Sequence, residues 1–301
     1  MTEPREIEVA TTDVTLRVLV WDEGVSADAP IALCLHGFPD TAHGWRKVAP
    51  LLLDAGYRVV APYMRGYAPS SPSSDRSYQI GALMDDALRV RDAVGPTDRD
   101  VLIGHDWGAM AAGGLVAMPD SPFAHAVIMS VPPLAAFREV HEPGRLLASL
   151  PKQMARSWYI LYNQLPWLPD HSASWLIPRL WRQWSPGYAA HEDIALVRAA
   201  IGSPENWRAA LGYYRQNMRF ATPPPRYADL NRYWLSKPSM PILYLHGTDD
   251  GCMTADYTRW AQRVLLEGSR VELVSDAGHF LQIEQPEVVA RHILDYVGAS
   301  S

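Results

Sequence analysis

The chain has 301 residues, of which 48% are hydrophobic and 20% charged. That is enough apolar material for one large domain or two coupled ones, and it excludes a disordered tail. With 27 Lys and Arg against 33 Asp and Glu, the net charge of −6 lacks the basic footprint that nucleic acid requires.

Two cysteines, Cys34 and Cys252, exclude a disulfide framework and a cysteine-rich zinc site. The first residues carry no apolar run of the signal-peptide kind. The longest apolar runs are strand-length, well short of the roughly 20 residues of a membrane helix. A cytoplasmic protein without a membrane span is expected. There are 11 Trp, six of them between positions 158 and 207; helix packing accounts for such a cluster, and so does the lining of an apolar pocket.

In chain order, residues 5–21 alternate apolar and polar side chains around Thr11-Thr12-Asp13, which predicts a hairpin. Ile31 to Leu35 is a continuous apolar run ending at His36-Gly37, as for a strand buried on both faces. Trp45, Val48, Leu51 and Leu52 keep helical spacing, and Gly56 ends that helix. A strand follows over 58–62, a helix over 78–94 and a strand over 101–103. The latter leads through Gly104-His105-Asp106-Trp107-Gly108 into a small-residue helix, and 123–131 is again strand-like. From about 132 to 225 the rhythm breaks into helical patterns rich in Trp, Tyr, Arg and Pro. Alternation resumes with a strand over 241–247, a helix over 257–266, a strand over 271–274 and a helix over 286–297. This is an α/β protein with a parallel sheet interrupted by a helical insertion. The boundaries are 1–134 for the first part of the core, 135–230 for the insertion and 231–301 for the second part.

The segment Gly104-x-Asp106-x-Gly108, between a buried strand and a helix, has the context of a nucleophile elbow. The sharp turn projects the central side chain, the glycines let strand and helix approach, and the helix N-terminus favours negative charge. Ser usually stands at the centre. An Asp there needs no base to become a nucleophile and can attack saturated carbon, giving an enzyme-bound alkyl ester. Asp106 as a simple helix N-cap is the competing reading. Downstream, Gly247-Thr248-Asp249-Asp250 and Asp276-Ala277-Gly278-His279 lie after strand ends, where open α/β sheets place their sites. The order nucleophile, acid, histidine makes His279 the base that activates water. Asp250 is the favoured orienting acid, with Asp249 as the alternative. The backbone N–H groups of Phe38 and Trp107 are placed to form an oxyanion hole. His36 as a metal ligand lacks a second ligand at metal spacing, and no metal or cofactor is expected.

On His36-Gly37-Phe38-Pro39, Arg65-Gly66-Tyr67-Ala68-Pro69-Ser70, Gly104-His105-Asp106-Trp107-Gly108, Asp250 and Gly278-His279, the chain resembles the epoxide hydrolases of the α/β-hydrolase fold over nearly its whole length. The resemblance implies an eight-stranded core, with a helical cap between strands six and seven. It also implies two cap tyrosines that donate hydrogen bonds to the epoxide oxygen. Tyr159, in Tyr159-Ile160-Leu161-Tyr162-Asn163-Gln164-Leu165-Pro166, and Tyr214, in Tyr213-Tyr214-Arg215, are the assignments, with Tyr162 and Tyr213 as alternatives. The expected substrate is a small apolar epoxide touching Phe38, Trp107, Tyr159 and Tyr214; a homodimer is common among such soluble enzymes.

The haloalkane dehalogenases are the rival resemblance, since they share the Asp nucleophile and cap. Trp107 suits their halide site, but Phe38 stands where many of them carry Asn. Fluoroacetate dehalogenases carry Arg in place of Trp107, and a serine hydrolase is disfavoured by Asp106. A non-catalytic ligand-binding member of the fold is the third alternative.

Overall fold

A computed structural model of the protein describes residues 3–138 and 143–298. Residues 139–142 of the expected insertion lie outside the described residues. The strands are β1 (Arg5–Ala10), β2 (Thr15–Trp21), β3 (Ile31–Leu35), β4 (Arg58–Pro62), β5 (Val101–His105), β6 (His125–Met129), β7 (Leu243–Gly247) and β8 (Arg270–Val274). They form one sheet of order β1-β2-β4-β3-β5-β6-β7-β8. The β1–β2 hairpin is antiparallel and β2 meets β4 antiparallel, while every pairing from β4 to β8 is parallel. Helices on both faces cover the middle of such a sheet, and every residue of β3, β4, β5 and β7 is buried.

The helices are α1 (Ala49–Asp54), α2 (Ile80–Ala93), α3 (Trp107–Val116), α4 (Pro143–Arg156), α5 (Trp158–Tyr162), α6 (Ala173–Trp184), α7 (His191–Ile201), α8 (Pro204–Met218), α9 (Pro225–Asn231), α10 (Thr258–Val264), α11 (Leu281–Glu284) and α12 (Pro286–Gly298). One expected helix is divided: Ala42–Trp45 is a 3-10 turn and α1 begins only at Ala49. The Thr41 hydroxyl accepts the His43 N–H and closes that turn separately. The helix expected over 257–266 is likewise a 3-10 turn, Ala255–Tyr257, followed by α10.

Between β6 and β7 the described chain holds helices α4 to α9 and no strand. The longest, α8, starts where Ser203 accepts the Asn206 N–H and Pro204 occupies the first turn, the residues a helix start favours. Its far end is tied to the core: Asn217 Oδ1 accepts the Ile80 N–H at 3.0 Å, and Asn217 Nδ2 donates to the Tyr78 carbonyl at 3.0 Å. In α6, Trp181 Nε1 donates to the Pro39 carbonyl at 2.9 Å. These bonds fix the insertion against the turn after β3 and the start of α2, and the Trp184 carbonyl accepts the N–H groups of Gly251 and His279, each at 3.0 Å, in the turns after β7 and β8.

Candidate active site

Asp106 occupies the turn between β5 and α3 with φ 52° and ψ −114°, a left-handed conformation that is uncommon away from glycine. Its neighbours explain how the turn is tolerated. A Cβ on Gly104 would overlap Gly108, one on Gly108 would overlap the Leu35 carbonyl, and one on Gly37 would overlap Asp106 itself. The carboxyl makes no capping bond to α3. Instead, Oδ1 accepts the Phe38 N–H at 2.7 Å. The geometry therefore sets aside the N-cap reading and places the loop after β3 against the carboxylate.

His279, in the turn after β8, is fully buried. Its Nδ1 lies 2.9 Å from Asp250 Oδ2, and its Nε2 lies 3.5 Å from Asp106 Oδ2. Asp250 is also buried, and its Oδ1 accepts the backbone N–H groups of Cys252 at 2.6 Å and Met253 at 2.9 Å. Asp249 is exposed, and the acid beside the histidine is Asp250. Burial alone would lower the His279 pKa. The carboxylates of Asp250 and Asp106 outweigh it and raise the value to about 10. Burial would raise Asp250, but the His279 charge and hydrogen bond hold it below the usual carboxylate range.

A cavity of about 260 Å³ opens above Asp106. Its floor is Asp106 and Trp107, and Tyr159 and Tyr214 stand over them. The other walls are mainly apolar: Met110, Val131, Leu134, Phe137, Met218 and Met253. Both tyrosines are buried, which raises their pKa values well above that of free phenol and keeps them protonated; further raising comes chiefly from Cys252 for Tyr159 and from Asp106 for Tyr214. Tyr159 Oη is 3.5 Å from Cys252 Sγ, while Tyr214 Oη, beside Asp106, Trp107 and Tyr159, makes no well-formed hydrogen bond among the described residues. The two rings pack edge to face at 5.6 Å. Neither sequence alternative lies here. Tyr213 donates to the Arg65 carbonyl at 2.9 Å, and Tyr162 packs against Trp158 and Trp175. The Phe38 ring stands beside Tyr214 and Trp207 rather than in the cavity wall.

The six Trp between 158 and 207 divide. None lines the cavity; Trp181, Trp184 and Trp207 are buried, while Trp167 and Trp175 are exposed. His36 is structural: Nε2 accepts the Met64 N–H at 3.1 Å, so the ring proton sits on Nδ1 and is donated to the Gly37 carbonyl at 2.9 Å. Neither nitrogen is left for a metal. Among the described residues, Asp250, Cys252 and His279 bring ligand-type atoms within 4.8 Å of one another. The carboxylate and imidazole are already hydrogen-bonded there, and burial holds the Cys252 thiol well above its usual range.

Three contributors have no local sequence signal. Cys252 joins both halves of the site, through its amide to Asp250 and its sulfur to Tyr159. Arg156 of α4 donates through Nη1 to the carbonyls of Asp250 at 2.7 Å and Met253 at 3.1 Å. Gln153, one turn earlier, donates to the Cys252 carbonyl at 2.9 Å and accepts the Thr254 N–H at 3.2 Å.

Residues 32–292 match the Alpha/beta hydrolase family. Epoxide hydrolase A of Mycobacterium tuberculosis is 31% identical over 332 residues, covering 99% of this chain and 98% of the relative. An epoxide hydrolase of Caballeronia sordidicola is 28% identical, over 97% of this chain and 93% of its own. Among solved structures, a Klebsiella pneumoniae protein superposes with a TM-score of 0.79 at 21% identity, over 98% of this chain and 97% of that one. Epoxide hydrolase CorEH gives 0.76 at 20% identity, over 99% and 100%. These two likenesses bear on the fold, whereas the sequence relationships bear on the family. The chain belongs to the α/β-hydrolase family and, within it, to the epoxide hydrolases.

Proposed function

We propose that the protein hydrolyses a small, apolar epoxide to a vicinal diol through a covalent ester on Asp106, with residues 135–230 acting as the cap. The observation that carries this reading is the placement of two protonated phenols, Tyr159 and Tyr214, across one cavity from the Asp106 carboxylate. Opening an epoxide produces an alkoxide, a poor leaving group, which requires a neutral acid held opposite the nucleophile.

In the first half-reaction Asp106 Oδ2 attacks a ring carbon, the carbon–oxygen bond breaks, and a tyrosine donates its proton to the released oxygen. Oδ1 becomes the ester carbonyl oxygen, already held by the Phe38 N–H. Esterification removes the Asp106 negative charge, one of the influences that raise the His279 pKa. The imidazole then loses its proton more readily and becomes a base at the point where a base is needed. His279 takes a proton from water, Asp250 steadies the imidazolium, and hydroxide adds to the ester carbon. The amides of Phe38 and Trp107 stabilise the oxyanion. Collapse breaks the bond between Asp106 Cγ and the diol oxygen, which takes the His279 proton and leaves as the diol; the carboxylic acid left on Asp106 gives up its proton and the tyrosinate takes one up, so that carboxylate and phenol are both restored.

The test is His279→Gln with terminal, aryl and internal epoxides, alongside bromo- and chloroalkanes. An adduct on Asp106 with the mass of the epoxide, and diol without halide from the unaltered enzyme, is the expected result. Halide release that survives loss of both tyrosines identifies a dehalogenase instead. Tight binding with neither product identifies a ligand-binding protein.

A further inference from the structure

The insertion carries an apolar face that nothing in the described chain covers. Leu161, Leu165, Trp167, Leu168, Trp175 and Phe220 are all exposed, with Leu161 and Trp167 at 70% and Phe220 at 72%. They are linked in space. Trp175 packs on Tyr162 beside Leu161, and Arg219, the residue before Phe220, donates to Gln164 Oε1 and to the Gln164 carbonyl, both at 2.8 Å; one side of the Phe220 ring meets Trp234 at 6.2 Å and the rest is exposed. An exposed aromatic–aliphatic group of this size marks a surface with a partner.

Two features separate this face from incidental exposure. Trp167 and Phe220 both have positive φ, 61° and 48°, in the region where bulky side chains are outliers and glycine or asparagine is the usual choice. The fold thus holds two large aromatic rings outward at a backbone cost. The second feature is charge. Residues 135–230, the insertion, carry eleven Lys and Arg against seven Asp and Glu, in a chain with 27 against 33. The insertion is therefore net positive on a protein that is net negative. Arg179 lies over the rings of Trp158 and Trp175, at 5.3 and 5.5 Å, and Arg219 is exposed at the margin.

We propose that this face of the cap docks on an anionic lipid surface. Indole rings and arginine side chains are amphipathic, and both settle at the boundary between headgroups and acyl chains. Anionic headgroups attract the positive insertion, whereas a second copy of the same face would oppose like charges. The site lies close behind: Ile160 and Met218 line the cavity, and Leu161 and Phe220 follow them in the chain on the exposed side. A bilayer is also where apolar small molecules concentrate. The docking surface itself stands independently of the reaction proposed above.

The experiment is co-sedimentation of the full chain with phosphatidylcholine vesicles, alone and with about 30% phosphatidylglycerol, a composition that supplies the negative surface potential. Binding to the anionic vesicles only, with release at high salt, is expected. Leu165→Ser with Trp167→Ser is expected to weaken it at least about tenfold, and Arg179→Gln about fivefold, the weight of one surface charge. Unchanged thermal melting shows that the variants are folded. Absence of binding to either vesicle, or binding that the double variant does not alter, overturns the proposal. So does a dimer in sedimentation velocity that the double variant dissociates, which assigns the face to a second copy.

Discussion

Arg156 of the insertion donates a 2.7 Å hydrogen bond to the backbone carbonyl of Asp250, whose carboxylate lies 2.9 Å from His279 Nδ1. A helix of the insertion thus holds the loop that carries Asp250, and Gln153 holds the same loop at Cys252 and Thr254. Arg156 does not line the cavity, so its action on chemistry runs through Asp250.

Replacing Arg156 with Gln is expected to slow ester hydrolysis about tenfold, within the weight of one hydrogen bond to a charged group. Formation of the ester should change little. Single-turnover experiments separate the steps, with accumulation of the Asp106 adduct as the readout. Equal slowing of both half-reactions would show that the residue acts on cap stability alone.

Tyr159→Phe and Tyr214→Phe remove the proton donors without emptying the space. Each is expected to lower the rate of ester formation about 100-fold, the lower end of general acid catalysis. Tyr213→Phe, one residue away, removes only the bond to the Arg65 carbonyl. It should cost about 1 kcal/mol of stability and leave the chemistry nearly intact. Stopped-flow rates with a terminal epoxide, together with urea melts, distinguish the two classes.

The elbow glycines provide a pair of opposite expectations. Gly108→Ala pushes a methyl group into the Leu35 carbonyl and should destabilise the protein by about 1–3 kcal/mol or more, with loss of activity. Gly113→Ala, on the same helix, meets nothing nearer than Ile128 Cδ1 at 4.0 Å. It should stabilise by up to about 1 kcal/mol through helix propensity. A lower melting temperature for the second variant would contradict the packing described here.

Acid sensitivity follows from buried imidazoles. Burial lowers the pKa of His36 to about 4; for His105, burial and the His279 charge lower it to about 3. A histidine whose folded pKa lies below its unfolded value of about 6.5 favours the folded state above that pH, and this contribution is lost as pH falls toward the folded value. Asp40, raised to about 7 by burial, acts in the opposite sense, so a difference between proteins is the clean measurement. Between pH 6.5 and 4, His105→Gln is expected to flatten the dependence of unfolding free energy by about 1.4 kcal/mol per pH unit, one proton's worth. Denaturant titrations at several pH values check it; parallel curves for the two proteins would refute it.

The core strands were legible because a strand buried on both faces leaves an uninterrupted apolar run, as Ile31 to Leu35 does. The turn at Asp106 was legible because two glycines must flank it. The choice between Tyr213 and Tyr214 was not decided by pattern, since adjacent helical residues point about 100° apart and only docking settles which one faces the cavity. Once α8 is tied to Tyr78 and Ile80 through Asn217, Tyr213 turns toward Arg65 and Tyr214 toward Asp106. Arg156, Gln153 and Cys252 left no trace because the contacts that join insertion to core run to backbone atoms or to a distant phenol, and neither kind of partner has a sequence spacing. The split of the helix near Trp45 was hidden for a similar reason: apolar spacing carries across a 3-10 turn, while the Thr41 hydroxyl that closes it is visible only in three dimensions.

The placement of the insertion between β6 and β7 divides authorship of the reaction. The proposed nucleophile and base, Asp106 and His279, are written into the turns of the sheet, and the proposed acids, Tyr159 and Tyr214, are written into a single excursion of the chain. A change confined to that excursion would therefore reshape the cavity while leaving Asp106, Asp250 and His279 in place. Arg156 and Gln153, together with Trp181 and Asn217, are the grammar such a change would have to preserve, because they tie the excursion to the core.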